Sequence, residues 1–184
     1  IKFESGTKAV ITTSSNLSLG DTYTVKTTSG DNEAAVSIDF NSEFFENNYT
    51  YTGDDLGASY TSSATTFKVW APTATEVKVL LFSSANVTKI DKGTYKMTGG
   101  TAADKGVWSV KVNKNLKNVY YVYQVTVGGE TTIAMDPYAK AGVTTNDYPN
   151  ATTYYAGHRG MVVDLNSTNP EGWENENYIE LSSY

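Results

Sequence analysis

The sequence predicts an all-β protein, on three observations. Apolar and polar residues alternate with a period of two, as in Phe67, Val69 and Ala71 against Lys68 and Trp70, the spacing of a half-buried strand. Aromatic residues fill 12% of the 184 positions, 14 of them Tyr, and together with many Thr and Val they favour strands over helices. No stretch repeats apolar residues at helical spacing over three or four turns. A chain of this length is one ordinary domain or one and a half, enough for a real core if it folds as a sandwich.

Ala9-Val10-Ile11-Thr12-Thr13 and Thr22-Tyr23-Thr24-Val25-Lys26 are short strand candidates, and Ala35-Val36-Ser37-Ile38-Asp39-Phe40 alternates in the same way. Residues 41–51 hold Phe44, Phe45, Tyr49 and Tyr51 among Asn and Glu. That is too polar for a core strand and too aromatic for a free linker, so the segment is expected to lie along the surface. Asp54-Asp55, set between Gly53 and Leu56-Gly57, predicts a turn with side-chain to backbone hydrogen bonds. Two adjacent acids match neither the six or more oxygens of a calcium site nor a pair of glycosidase carboxylates.

The centre of the chain is Thr66-Phe67-Lys68-Val69-Trp70-Ala71-Pro72, followed after a turn by Val77-Lys78-Val79-Leu80-Leu81-Phe82. Pro72 removes a backbone donor and stops the ladder, so the two runs form a hairpin or a corner between two sheets. The second run is bulky on both faces, as in a strand covered on both sides. Thr94-Tyr95-Lys96-Met97 is a short strand. Val107 to Val112 alternates strictly, with Trp108, Val110 and Val112 on one face, which makes Trp108 a core residue before a sugar platform. Residues 119–127 form the longest candidate, with Tyr121, Tyr123, Val125 and Val127 opposite Tyr120, Val122, Gln124 and Thr126. Gly128-Gly129 turns it into a hairpin with 130–135. Asp136-Pro137-Tyr138 ends that strand, 141–160 is expected as loop, and 161–165 as the last strand.

Several of these segments resemble one family in a single order. Tyr51-Thr52-Gly53-Asp54-Asp55-Leu56-Gly57 with Thr66 to Ala74, then Gly106-Val107-Trp108, Tyr120-Tyr121-Val122-Tyr123, Met135-Asp136-Pro137-Tyr138-Ala139-Lys140-Ala141, Val162-Val163-Asp164-Leu165 and Asn169-Pro170-Glu171-Gly172-Trp173 are similar to the N-terminal module of bacterial type I pullulanases. Those are starch-debranching enzymes of glycoside hydrolase family 13, and the module is the isoamylase-type sandwich of carbohydrate-binding family 48. The resemblance implies an immunoglobulin-like β-sandwich at 51–165, preceded at 1–50 by a further β segment. The segment at 1–50 resembles, more weakly, what precedes the sandwich in pullulanases, or is a strand or two of an upstream domain. Residues 166–184 would then be a linker towards a catalytic barrel outside this chain.

The resemblance implies an extracellular or cell-surface bacterial parent that cleaves α-1,6 branches, with this chain itself inactive and free of cofactors and metals. The partners implied are the parent's own catalytic barrel and α-glucan (starch, glycogen, pullulan). Composition agrees on what to exclude. A net charge of −6 with 14 scattered basic residues offers no phosphate-binding cluster, so nucleic acid is not a partner. With no Cys there is no disulfide framework and no thiolate nucleophile. No run of about 18 apolar residues predicts a membrane span, and no leader is expected, Ile1 reading as a fragment boundary. His158, the single His, stands beside Arg159 in an expected exposed loop, without partners for a metal site or triad. Five Asn-x-Ser/Thr triplets, at Asn16, Asn48, Asn86, Asn150 and Asn166, follow from the Thr-rich composition.

Glycogen-binding members of the family carry two exposed Trp and a Lys. At the matching positions this sequence has Ser83-Ser84-Ala85-Asn86-Val87, Gln124, and Glu130-Thr131. The resemblance thus implies millimolar binding or none at that surface, about −4 kcal/mol at best, and a packing role beside it. Any glycan site is expected among Tyr95, Tyr120, Gln124, Tyr154 and Tyr155. A general adhesion sandwich is disfavoured by the ordered blocks. Trp70 shares a strand face with Lys68, which is no ordinary core face. It is the candidate for a domain interface, its indole covered by a loop of this chain or by the absent barrel.

Overall fold

The computed structural model describes residues 2–5, 8–11, 13–14, 17–30, 32–36, 38–144 and 158–175, with 2–5 and 8–10 as backbone. Two small ribbons come first. Strands β1 (Lys2–Ser5) and β2 (Lys8–Val10) pair antiparallel, and so do β3 (Thr24–Lys26) and β4 (Glu33–Ala35). The expected strand at 35–40 thus lies earlier, at 33–35. Every residue of β3 and β4 is exposed, so no buried face selects the register that alternation suggested.

The segment 41–51 is not merely laid along the surface: it contains helix α1 (Glu43–Tyr49). Ser42 caps it, its hydroxyl accepting from the Phe45 amide, while Glu43 complements the positive helix N-terminus. Phe45 and Tyr49, one turn apart, are its buried residues. Two turns of helix are too short for a periodicity search over three or four, which is why the sequence reading missed it.

The sandwich follows. Strands β5 (Gly57–Tyr60), β6 (Thr65–Trp70), β10 (Val107–Val112) and β9 (Thr98–Gly99) form a four-stranded sheet in the order β5-β6-β10-β9. Opposite lie β7 (Glu76–Phe82), β8 (Gly93–Lys96), β11 (Tyr120–Val127), β12 (Glu130–Ala134), β13 (Gly142–Thr144) and β14 (His158–Met161). Their order is β13-β14-β11-β7-β8, with β12 also on β11. Pro72 therefore marks a corner: β6 ends in one sheet and β7 begins in the other. Gly128 and Gly129, at φ 57° and 85°, form the two-residue turn with positive φ at both positions that matches strand twist. Two strands occupy the expected loop at 141–160, and the last strand is 158–161 rather than 161–165.

The core lies between the sheets. Phe67, Val69, Trp108 and Val112 meet Val77, Val79, Leu81, Tyr121 and Tyr123, with Met97, Leu116 and Val162 closing the ends. Trp108 is a core residue, its indole N–H donating to the Ala71 carbonyl at 2.9 Å. A second cluster of Leu80, Phe82 and Val122, flanked by Ile90, Tyr120 and Ile133, sits on the outer face of the larger sheet. It explains why β7 is apolar on both sides.

Candidate functional site

Strand register sorts the candidate residues onto separate faces. Gln124 pairs with Lys78 and Tyr120 with Phe82, so both lie on the outer face of the larger sheet. Tyr120 packs against the Leu80, Phe82 and Val122 cluster there. Beyond Gln124 the face is ionic, Glu76 accepting from Lys78 at 2.6 Å and Lys96 at 3.2 Å. Those two lysines hold the Glu76 carboxyl below the usual carboxylate range. Tyr95 does not join this face. It pairs with Val79 on the core side of β7, and its hydroxyl accepts from Lys114 at 3.0 Å. An odd register offset puts it on the opposite side of the sheet from Gln124. Tyr154 and Tyr155 lie outside the described residues.

Arg159 holds the loop beside that face. It is 1% exposed, with its guanidinium 3.8 Å from the Phe82 ring centre and donating to the carbonyls of Ser84 at 2.8 Å and Val87 at 2.7 Å. Asp91 closes the same loop, accepting from the Ser83 amide at 2.8 Å and from the Ser83 hydroxyl. His158 is exposed on β14, not in a loop, and bonds Thr144 at 3.1 Å. Among the described residues no three His, Cys, Asp or Glu converge as a metal site, and no helix is long and apolar enough to cross a membrane.

The second candidate area is the outer face of the four-stranded sheet, around Trp70. Its indole N–H donates to the carbonyls of Tyr49 at 2.8 Å and Lys105 at 3.0 Å, and Phe45 meets its ring edge-on at 6.3 Å. Helix α1 is thus the cover that this chain provides, yet Trp70 stays 39% exposed. Trp70→Phe keeps the ring contact and removes the donor to two carbonyls. We expect a loss of about 1–2 kcal/mol and faster amide exchange in α1, both read by native-state hydrogen exchange.

Beside it, Asp55 accepts from the Tyr51 hydroxyl and from the Lys68 ammonium. These side-chain partners stand beside a backbone hydrogen bond of the Asp55 carboxylate, the kind expected of an acidic turn. Lys68 first and Tyr51 second pull the Asp55 carboxyl below its ordinary value, and Asp55 raises the Lys68 ammonium. Trp70, Tyr51, Leu56, Phe45 and Tyr138 line one cleft of about 270 Å³.

Tyr138 reaches it because of a residue that sequence reasoning passed over. Asp136, 1% exposed, accepts from the hydroxyls of Tyr121 at 2.7 Å and Tyr123 at 3.3 Å, and from the Tyr138 amide at 2.9 Å. Burial pushes the Asp136 carboxyl up despite these donors, and pushes both tyrosine hydroxyls up as well. The Tyr138 carbonyl then packs on Gly57, where a Cβ would come within 2.6 Å of it and φ is +91°. The spacing of two between Tyr121 and Tyr123, both facing the core, was the available signal. Two hydroxyls on a buried face require an acceptor, and Asp136 follows one hairpin later.

Residues 55–139, which carry most of both sheets and this Asp136 corner, match the profile of carbohydrate-binding module 48, the isoamylase N-terminal domain. The sandwich belongs to this family. The module is 34% identical over 129 residues to a pullulanase of Klebsiella aerogenes, covering 64% of this chain and 10% of that protein. Among solved structures it resembles a pullulanase from Bacillus acidopullulyticus, with 44% identity, a TM-score of 0.57, and 71% of this chain against 14% of that one. It also resembles a pullulanase from Paenibacillus barengoltzii solved with maltohexaose and α-cyclodextrin, with 36% identity, a TM-score of 0.64, and 79% against 20%. The chain therefore spans between 10% and 20% of the length of these relatives.

Proposed function

We propose that this chain is the non-catalytic N-terminal module of a starch-debranching enzyme of the pullulanase type, acting in a bacterial extracellular or cell-surface setting. It packs beside the parent's catalytic barrel and meets α-glucan there. One observation carries the reading: a family 48 sandwich whose 44% identical counterpart is part of a pullulanase. The same reading takes the sandwich as immunoglobulin-like. The α-1,6 hydrolysis belongs to the parent, because glycoside hydrolysis holds two carboxylates on opposite sides of one bond, about 5 to 9.5 Å apart, and the resemblance assigns them to the barrel.

The purified chain is expected to release no reducing sugar from pullulan or amylopectin above a buffer blank, while the same chain joined to a pullulanase barrel is active. Release that survives repurification, and is lost on changing an acid within residues 1–175, would overturn the assignment.

A further inference from the structure

The cleft around Trp70 has the chemistry of a sugar site rather than of a domain seam. Trp70 is 39% and Tyr138 49% exposed, and the indole N–H is already bonded within the chain. What Trp70 offers a partner is its ring, and an aromatic ring is the natural cover for the C–H side of a pyranose. Polar groups stand at the edges: Glu46 and Thr50 line the cleft with Tyr51, and Tyr51 is held by Asp55, itself held by Lys68. The Glu46 carboxylate, which lines the cleft, has acceptor capacity for sugar hydroxyls, and the Asp55–Lys68 pair holds the Tyr51 hydroxyl at its edge.

The cleft is small. About 270 Å³ is just under the usual range of small-ligand pockets, about 300 Å³ and upward. Here Glu46 lines the cleft, and the Asp55–Lys68 pair stands behind Tyr51 at its edge. The cleft is also held in shape. The Asp136 carboxyl fixes the Tyr138 backbone, the Tyr49 carbonyl fixes the Trp70 indole, and Gly57 lets the Asp136 corner close on β5.

We propose that the cleft formed by Trp70, Tyr138, Tyr51 and Leu56 binds a short stretch of α-glucan, on the sheet opposite the face that carries Tyr120 and Gln124. Trp70 and Tyr138 stack on the sugar, Glu46 accepts from its hydroxyls, and Asp55, paired with Lys68, positions Tyr51 at the cleft edge. The proposal rests on the carbohydrate-binding reading of the module and adds where the sugar sits.

The test is titration of the 184-residue chain with maltohexaose, read by indole fluorescence in a Trp173→Phe background and by backbone amide shifts. Trp173 is 59% exposed and Trp108 is buried, so in that background the responsive indole is Trp70. The expected result is a saturable change in Trp70 emission, with amides of 45–57 and 136–139 shifting together. Tyr138→Ala, whose fold is checked by near-ultraviolet circular dichroism, should raise the dissociation constant tenfold or more. Asp55→Asn should raise it a few-fold, whereas Gln124→Ala should leave it unchanged.

Binding that survives Tyr138→Ala and Asp55→Asn but is lost in Gln124→Ala or Tyr120→Ala overturns the proposal and leaves the carbohydrate-binding reading standing. No binding of maltohexaose by the wild-type chain overturns both. Cleft amides that move with protein concentration and not with sugar mark a protein-docking face and also overturn it.

Discussion

Replacing Asp136 by Ala should lower the stability of the chain by about 3 kcal/mol, and its melting temperature by roughly 6–12 °C. The substitution leaves the Tyr121 and Tyr123 hydroxyls buried without their acceptor, and frees the Tyr138 amide. Each stranded buried group costs about 1–3 kcal/mol. The neutral variant Asp136→Asn separates shape from charge. Because burial raises the Asp136 carboxyl above its ordinary value of 3.8, the native state holds this proton more tightly than the unfolded chain does. The resulting stability is fully present below about pH 4 and is lost as pH rises through the folded-state value. The cost of Asp136→Asn relative to wild type should therefore shrink as pH rises from about 4 towards neutrality. Urea unfolding of both proteins across that range reads it directly, and a cost that grows with pH would mean that the native state favours the ionised carboxylate.

Arg159→Ala is the second large effect, expected at about 4 kcal/mol. It removes a buried cation stacked on Phe82, worth about 2 kcal/mol when desolvated. It also strands the carbonyls of Ser84 and Val87, which the guanidinium binds at 2.8 and 2.7 Å. Arg159→Lys should recover less than half of this, because an ammonium cannot span both carbonyls and lie flat on the ring. The loss should be local as well as global. Amides of the loop between β7 and β8 should exchange faster in both variants, even under conditions where the core strands stay protected. Equal protection of that loop in wild type and Arg159→Ala would show that Asp91 alone holds it.

These two residues mark where the sequence stops speaking. The β character, the break in the ladder at Pro72, the sorting of β6, β10 and β11 into two faces and the glycine hairpin at 128–129 were all legible. Each depends on a local rule: a period of two, a missing proline N–H, or a positive φ. The family was legible too, since it rests on ordered blocks that no folding is needed to see. Asp136 and Arg159 were read as a strand end and as a loop neighbour of His158, because charge by itself predicts exposure. Only the tertiary structure brings them to partners that are distant in sequence, Tyr121 and Tyr123 for one, Phe82, Ser84 and Val87 for the other.

The same limit governs the candidate sites. Periodicity set Trp70 apart from Phe67 and Val69 correctly, but which segment covers it was decided by α1, a helix too short to show a period. Tyr95 and Gln124 looked equally available in the sequence, and the pairing of β8 and β11 with β7 sent them to opposite sides of one sheet. Which residues can alternate is a property of a strand by itself. Which face meets solvent, and which aromatic rings share a cleft, depends on register between strands, and register is set by contacts that exist only once both sheets have closed on their core.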